Sequence, residues 1–132
     1  MLKTILQTVV FRNTARKDLY NIYMDSSKHS LITGTKAIIS DSEGGRYSAY
    51  DNYIKGKNLQ LIKNKLIVQS WRASNWSKKE VDSTLILLFE SKEKDTILYV
   101  THANVPEKEF TNLKKGWNEY YWKPLQKFLS TH

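Results

Sequence analysis

The chain has 132 residues, a formal net charge of +8 and no cysteine. The absence of cysteine excludes a disulfide framework, thiolate catalysis and thiolate metal sites. The longest uninterrupted apolar run, Leu85–Phe89, is far shorter than the roughly 20 residues that span a bilayer. We therefore expect one domain over residues 1–132 with a single core, soluble and cytoplasmic, without a membrane partner.

The positive charge is spread along the chain and identifies no partner by itself. Most of the 21 basic residues are Lys, whereas recognition of base edges favours Arg on a helix or ribbon, so we predict no nucleic-acid binding. The basic excess lies in the N-terminal half, where Lys55 and Lys57 accompany a predicted hairpin. They form either a docking patch for an acidic partner or a solvated sheet edge, and the edge is the commoner role.

The N-terminal quarter predicts one strand followed by two short helices. Residues 3–11 are mostly β-branched and apolar, which favours a strand. Asn13 or Thr14 can cap a helix over about residues 15–24. A second helical turn passes through residues 29–32; its cap is Asp25, Ser26 or Ser27, and Gly34 can end it in a left-handed conformation.

Beyond residue 44 the apolar pattern alternates, which predicts an antiparallel meander of five or six strands. A Gly44-Gly45 turn precedes a strand over residues 46–50, and Asp51-Asn52 forms a hairpin turn. The further strands are expected over residues 53–62, 66–76, 81–90 and 96–105. Alternation groups Val81 with Leu85, Leu87 and Phe89, and it places Tyr99 opposite Leu98, Val100 and His102.

The C-terminal segment predicts one long amphipathic helix that begins near Pro106. Its apolar residues recur at three- and four-residue spacing, and they are Phe110, Leu113, Trp117, Tyr121, Leu125 and Phe128. Pro124 cannot donate to the carbonyl of Tyr120, so we expect the helix to bend there. Tyr120 and Trp122 lie away from the centre of the stripe, which makes their rings candidates for partner contact.

This order of elements predicts an α+β helix-grip fold, in which a curved antiparallel sheet of about six to seven strands wraps on the C-terminal helix. The chain also resembles the family of activators of the heat-shock protein 90 ATPase, in particular their C-terminal domain, which belongs to the START-like, pollen-allergen-like superfamily. The resemblance covers nearly the whole chain, and it rests on an ordered set of motifs: Gly44-Gly45, Ile54-Lys55-Gly56, Trp71-Arg72 with Trp76, and Gly116-Trp117 with Tyr120-Tyr121.

The resemblance implies a non-catalytic binding domain without a cofactor. In the family this module contacts the ATP-binding domains of the chaperone and helps them close, so a heat-shock protein 90 type chaperone is the implied partner. Full-length eukaryotic members carry a separate N-terminal domain, for which a chain of 132 residues has no room. The expectation is a stand-alone, co-chaperone-like protein, with the monomer as the default state.

Aromatic side chains are the candidates for a ligand cavity. If sheet and helix enclose a small apolar or amphipathic ligand, its walls would come from Tyr47, Trp71, Tyr99, Phe110, Trp117 and Tyr121. Large aromatic residues at periodic positions are more often plain core. The candidate partner contacts are Lys55, Lys57, Arg72, Tyr120 and Trp122, and a surface ion pair is the alternative role for Arg72.

Catalytic and metal sites find no supporting pattern. His29, His102 and His132 are far apart, and none has a second ligand at helical or hairpin spacing. A chain with 13 acidic residues always allows some histidine–carboxylate pair, so such pairs carry no information. We predict no enzyme activity and no metal site. Two hypotheses remain, a co-chaperone-like interaction module and a carrier or sensor of a small ligand.

Overall fold

The computed structural model describes residues 1–131, which form one seven-stranded antiparallel sheet and four α-helices. The strands are β1 (Leu2–Phe11), β2 (Ile38–Ile39), β3 (Arg46–Ala49), β4 (Ile54–Ile62), β5 (Leu66–Ala73), β6 (Ser83–Lys92) and β7 (Asp95–Pro106). The helices are α1 (Arg16–Met24), α2 (Ser26–Thr33), α3 (Phe110–Trp117) and α4 (Lys123–Thr131). The strand order β1-β7-β6-β5-β4-β3-β2 makes β2 to β7 a meander, with β1 added beside β7. The predicted helix-grip fold is confirmed.

The two short helices lie between β1 and the meander, as predicted. Ala15 occupies the cap position of α1 and offers no side-chain hydrogen bond, so the expected caps Asn13 and Thr14 are wrong. The Asp25 carboxylate accepts the cap hydrogen bond of α2, and Gly34 ends that helix with φ of 76°. Helix α1 packs on the sheet through its buried face, which consists of Leu19, Tyr20, Ile22, Tyr23 and Met24.

The meander differs from its sequence prediction at three places. Strand β2 has two residues, too few for an alternating pattern to be visible. Strand β5 ends at Ala73 and β6 begins at Ser83, so both borders of the intervening loop shift from the predicted positions. Val81, expected on the apolar face of β6, lies in this loop and is 56% exposed. The loop is fixed by the guanidinium of Arg72, which donates to the carbonyls of Ser77 and Glu80.

The C-terminal helical segment, residues 107–131, changes its winding along its length. A 3₁₀ turn over Glu107–Glu109 leads into α3, and a π-helical turn over Asn118–Trp122 separates α3 from α4. In the π turn the N–H of Lys123 donates to the carbonyl of Asn118, five residues earlier. The turn ends at Trp122, two residues before Pro124, the residue at which the sequence predicted a bend.

The core lies between the inner face of the sheet and the C-terminal helix. The helix contributes Trp117, Tyr121, Trp122 and Leu125, and the strands contribute Ile5, Phe11, Ile67, Leu85, Leu87 and Leu98, all at most 5% exposed. Each large apolar side chain buried in this way stabilises the fold by about 1.5–3 kcal/mol. Within residues 1–131 no helix is both long enough and apolar enough to cross a membrane.

Candidate functional site: an aromatic cleft beside the C-terminal helix

A cleft of about 560 Å³ lies between the C-terminal helix and the connection from β3 to β4. Six of its lining residues are aromatic: Tyr50, Tyr53, Trp71, Trp117, Tyr120 and Tyr121. The others are Ile54, Asn75, Glu109, Asn112, Leu113 and Gly116. Aromatic walls with a few polar groups are typical of a small-molecule site. We call this space the cleft.

Trp117 is held in the cleft wall by the buried side chain of His102. The indole Nε1 donates to Nδ1 of His102 at 3.1 Å, so the imidazole proton lies on Nε2. Nε2 lies 2.7 Å from the Ser83 hydroxyl, which in turn donates to the carbonyl of Trp71 at 2.7 Å. Burial lowers the pKa of His102 to about 3, so the ring is neutral at physiological pH. This chain of hydrogen bonds fixes the two tryptophans relative to each other.

Tyr121 is held in the same way by a second buried histidine, His29. Nδ1 of His29 donates to the carbonyl of Tyr23 at 2.8 Å, so Nε2 accepts from the Tyr121 hydroxyl at 3.0 Å. Burial lowers the pKa of His29, and the bond to the Tyr23 carbonyl partly opposes that shift. Burial also raises the pKa of Tyr121 well above its usual value. The Tyr121 hydroxyl therefore serves the fold, and only the ring of this residue is available to the cleft.

Tyr50 ties the β3–β4 connection to the helix. Its hydroxyl donates to the carbonyl of Tyr120 at 2.8 Å. Pro124 has no N–H and therefore cannot donate the usual helical hydrogen bond to this carbonyl. Tyr50, Asp51 and Asn52 have φ values of 49°, 53° and 71°, a left-handed run that is uncommon outside glycine. The hydrogen bond therefore satisfies the helix and also anchors a turn of unfavourable backbone conformation.

The sequence predicted that Trp122 lies at the edge of the helix, but the structure places it in the core. In a regular α-helix, residues five apart point about 140° away from each other. The π turn puts Trp122 nearly one full turn beyond Trp117, and the two indoles stack with centroids 5.2 Å apart. Trp122 is 1% exposed, and its Nε1 donates to the side chain of Gln7 at 3.0 Å. It is not accessible to a partner in this structure.

Three of the six predicted cavity residues, Trp71, Trp117 and Tyr121, lie together in the cleft. The other three lie elsewhere. Tyr47 is buried in the core, where its hydroxyl donates to the Ser70 carbonyl. Tyr99 is 36% exposed, and its hydroxyl donates to Glu90. Phe110 packs against the core and lies beneath the ammonium groups of Lys3 and Lys114.

The remaining partner candidates are placed differently from one another. Lys55 and Lys57 are exposed on β4. Arg72 forms an ion pair with Asp82 at 3.0 Å and holds the loop between β5 and β6, which is the structural alternative considered for it. Tyr120, predicted only as a partner contact, is 61% exposed and also lies at the cleft.

The buried Ser83–His102 pair is not arranged for nucleophilic chemistry. Both side chains are 0% exposed, and the serine hydroxyl is already donated to a carbonyl. Among residues 1–131, no group of three or more His, Asp or Glu side chains is placed to hold a metal ion. The third histidine, His132, lies outside the described residues.

Several cleft residues were not found from the sequence. Tyr50, Tyr53 and Asn75 were predicted at the ends of strands over residues 46–50, 53–62 and 66–76, whereas the structure places all three in connections. The helix residues did carry a signal, because Glu109, Asn112, Gly116 and Tyr120 follow helical spacing one position before the apolar stripe. This second, more polar stripe marks the side of the helix that borders the cleft.

The curved sheet, the gripping helix and the cleft between them define a START-like helix-grip domain. Residues 13–130 match the family model described as "Activator of Hsp90 ATPase homolog 1-like protein". The match covers most of the chain, and the protein belongs to this family.

Related sequences agree with this assignment. The chain is 32% identical over 101 residues to the activator of 90 kDa heat shock protein ATPase homolog of Dictyostelium discoideum, which covers 76% of this chain and 26% of that protein. It is 25% identical over 113 residues to the human homolog 1, covering 86% of this chain and 33% of that protein. The chain thus spans about a quarter to a third of these curated relatives.

Solved structures confirm the fold. An HSP90 activator from Plasmodium falciparum superposes with a TM-score of 0.88 at 24% identity, and the match covers 96% of both chains. CalU16 from Micromonospora echinospora superposes with a TM-score of 0.80 at 18% identity, covering 98% of this chain and 77% of that one.

Proposed function

We propose that this domain is a non-catalytic interaction module that binds an Hsp90-type chaperone in the cytoplasm and acts there as a monomer. The observation that carries the proposal is the family match over residues 13–130. The fold it shares with an HSP90 activator over 96% of both chains supports it.

The surface chemistry offers a place for this contact. Arg46 lies opposite Lys57 in the register of β3 and β4. Lys55 lies two residues before Lys57, on the same face of β4. All three are exposed, and none forms a salt bridge within residues 1–131. A patch of one sign steers an acidic partner and favours a defined orientation. We call Arg46, Lys55 and Lys57 the basic face.

The test is a binding and ATPase assay with a purified Hsp90-type chaperone. Lys55→Glu/Lys57→Glu is expected to weaken binding and stimulation, and the loss is expected to shrink at high salt as screening removes the attraction. The matched control is Lys92→Glu/Lys94→Glu, which makes the same charge change at the distant β6–β7 hairpin. Absence of binding and of stimulation by the unmodified protein at saturating concentration would rule out the proposal. Equal effects of the two double variants would rule out the basic face.

A second candidate function is supported by the cleft itself. Its volume of about 560 Å³ lies within the range of roughly 300–1,000 Å³ that is usual for small-molecule sites. The domain would then carry or sense an apolar or amphipathic ligand, with Trp71, Trp117 and Tyr121 as walls.

Nile red, a neutral dye whose emission rises in apolar surroundings, tests whether the cleft takes up such a molecule. Gly116→Leu is expected to abolish the signal, because a Cβ at residue 116 meets no atom closer than the Tyr120 ring at 3.6 Å and the longer side chain extends toward the cleft. Thr111→Leu adds a similar side chain at an exposed position of the same helix and is the control. If neither variant changes dye binding, the cleft is not the binding site.

A further inference from the structure

The cleft differs in charge from the rest of the molecule. The chain carries 21 basic and 13 acidic residues, yet none of the described residues that line the cleft is basic. One of them, Glu109, is acidic. The chain as a whole has more basic than acidic residues, whereas the charged side chain among the described lining residues is acidic. The net charge of the lining is therefore opposite to that of the chain.

The carboxylate of Glu109 has no partner in the fold. Within residues 1–131 it forms no hydrogen bond and no ion pair, although it is partly buried. Other carboxylates have structural roles: Asp25 caps a helix, Glu43 accepts from the N–H of Leu61, and Asp82 pairs with Arg72. A partly buried carboxylate without such a role is free to interact with a bound molecule.

The aromatic walls, like the carboxylate of Glu109, favour a positively charged ligand. The faces of Trp and Tyr rings carry partial negative charge and attract organic cations, most strongly where water is displaced. Six aromatic residues line the cleft. Trp71 and Trp117 are each 3% exposed and are mostly covered by protein, whereas Tyr53 and Tyr120 are 42% and 61% exposed and offer their rings to a bound molecule. Aromatic rings and one carboxylate together favour a cation over a neutral molecule, and they disfavour an anion.

We propose that the cleft binds an amphipathic organic cation, an amine or quaternary ammonium group on an apolar body, with Glu109 beside the charged group and the aromatic rings around it. The proposal rests on the ligand-binding function proposed for the same cleft and adds its chemical class. The alternative role of Glu109 is to stabilise the positive end of the C-terminal helix, since it lies in the turn that precedes α3.

The experiment compares three probes of matched size by isothermal calorimetry or tryptophan fluorescence. They are benzyltrimethylammonium, which is a cation, N-benzylacetamide, which is neutral, and 3-phenylpropanoate, which is an anion. The unmodified protein is expected to bind the cation tightest and the anion weakest. Glu109→Gln is expected to weaken cation binding by about tenfold and to leave binding of the neutral probe unchanged.

Glu107→Gln is the matched control, because it removes the same charge from the same helical turn at an exposed residue outside the cleft. If Glu109 acts through the helix or through net charge, both variants change cation binding equally and the proposal is wrong. If all three probes bind with equal affinity, the cation preference is refuted while the cleft remains a ligand site. If none binds, the cleft is no ligand site and both proposals fall together.

Discussion

The hydrogen bond between Trp117 and His102 can be tested by comparing Trp117→Phe with Trp122→Phe. The two indoles stack on each other, are 3% and 1% exposed, and each donates one hydrogen bond through Nε1. Both substitutions remove the same ring volume and the same donor. The variants differ in the acceptor that is left behind, which is His102 in one case and Gln7 in the other.

The acceptor decides the expected magnitude. His102 is 0% exposed, so water cannot replace the lost donor, whereas Gln7 is partly exposed. A change of tautomer does not rescue His102, because the proton then lies on Nδ1 and the phenyl ring that replaces the indole offers it no acceptor. A buried acceptor without a donor costs about 1–3 kcal/mol. Trp117→Phe is therefore expected to lower the free energy of unfolding by about 1–2 kcal/mol more than Trp122→Phe.

Urea unfolding followed by circular dichroism measures both values, with an unchanged m-value as the condition for comparison. Trp117→Ala provides the upper reference, since truncation of a buried tryptophan typically costs about 3–5 kcal/mol. Equal losses in the two Phe variants would refute the assigned role of His102. A loss in Trp117→Ala well below the reference would instead mean that the residue is a cleft wall with little packing energy.

Three further predictions follow from the described contacts. Because burial lowers the pKa of His102 to about 3, the unfolded state binds a proton that the folded state rejects, so this ring should lower the free energy of unfolding by about 1.4 kcal/mol per unit as pH drops from about 6.5 toward 3; histidine NMR should show the ring neutral with its proton on Nε2 until the pH approaches 3, and titration near pH 6.5 would contradict it. Gly116→Ala should raise the free energy of unfolding by about 0.5–1 kcal/mol in thermal or urea unfolding, because glycine is unfavourable inside a helix and the new methyl group has room; a loss would show that the position is tightly packed. Tyr50→Phe should cost about 1 kcal/mol, and less when combined with Pro124→Ala, which supplies an N–H near the Tyr120 carbonyl; additive losses in this double-mutant cycle would contradict the shared acceptor.

Local periodicity was enough to predict the order of elements. Strands repeat every two residues and helices every 3.6, so the alternation around Leu85, Leu87 and Phe89 and the stripe through Trp117 and Tyr121 are readable without any tertiary contact. The lost helical hydrogen bond to the Tyr120 carbonyl was predictable for a similar reason, because the missing N–H is a property of Pro124 alone.

The same local rules failed where a distant contact sets the conformation. Val81 fits the alternation of β6, but Arg72 holds the preceding loop away from the strand. Tyr99 alternates correctly, yet the sequence does not say which face of its strand meets the helix. Alternation assigns residues to two faces and leaves open which of them is inside.

The sequence by itself determined the helix-grip order, the apolar stripe of the last helix and the membership of the family. Only the tertiary structure decided which residues form the cleft, because its walls come from the β3–β4 connection, the start of β4, β5 with the loop after it, and the C-terminal helix, segments that no local pattern links. It also decided the position of Trp122. Trp122 lies five positions after Trp117, and a π turn is needed for the two side chains to point in the same direction. Packing and the hydrogen bond from the Tyr50 hydroxyl stabilise this turn, whereas local preference does not.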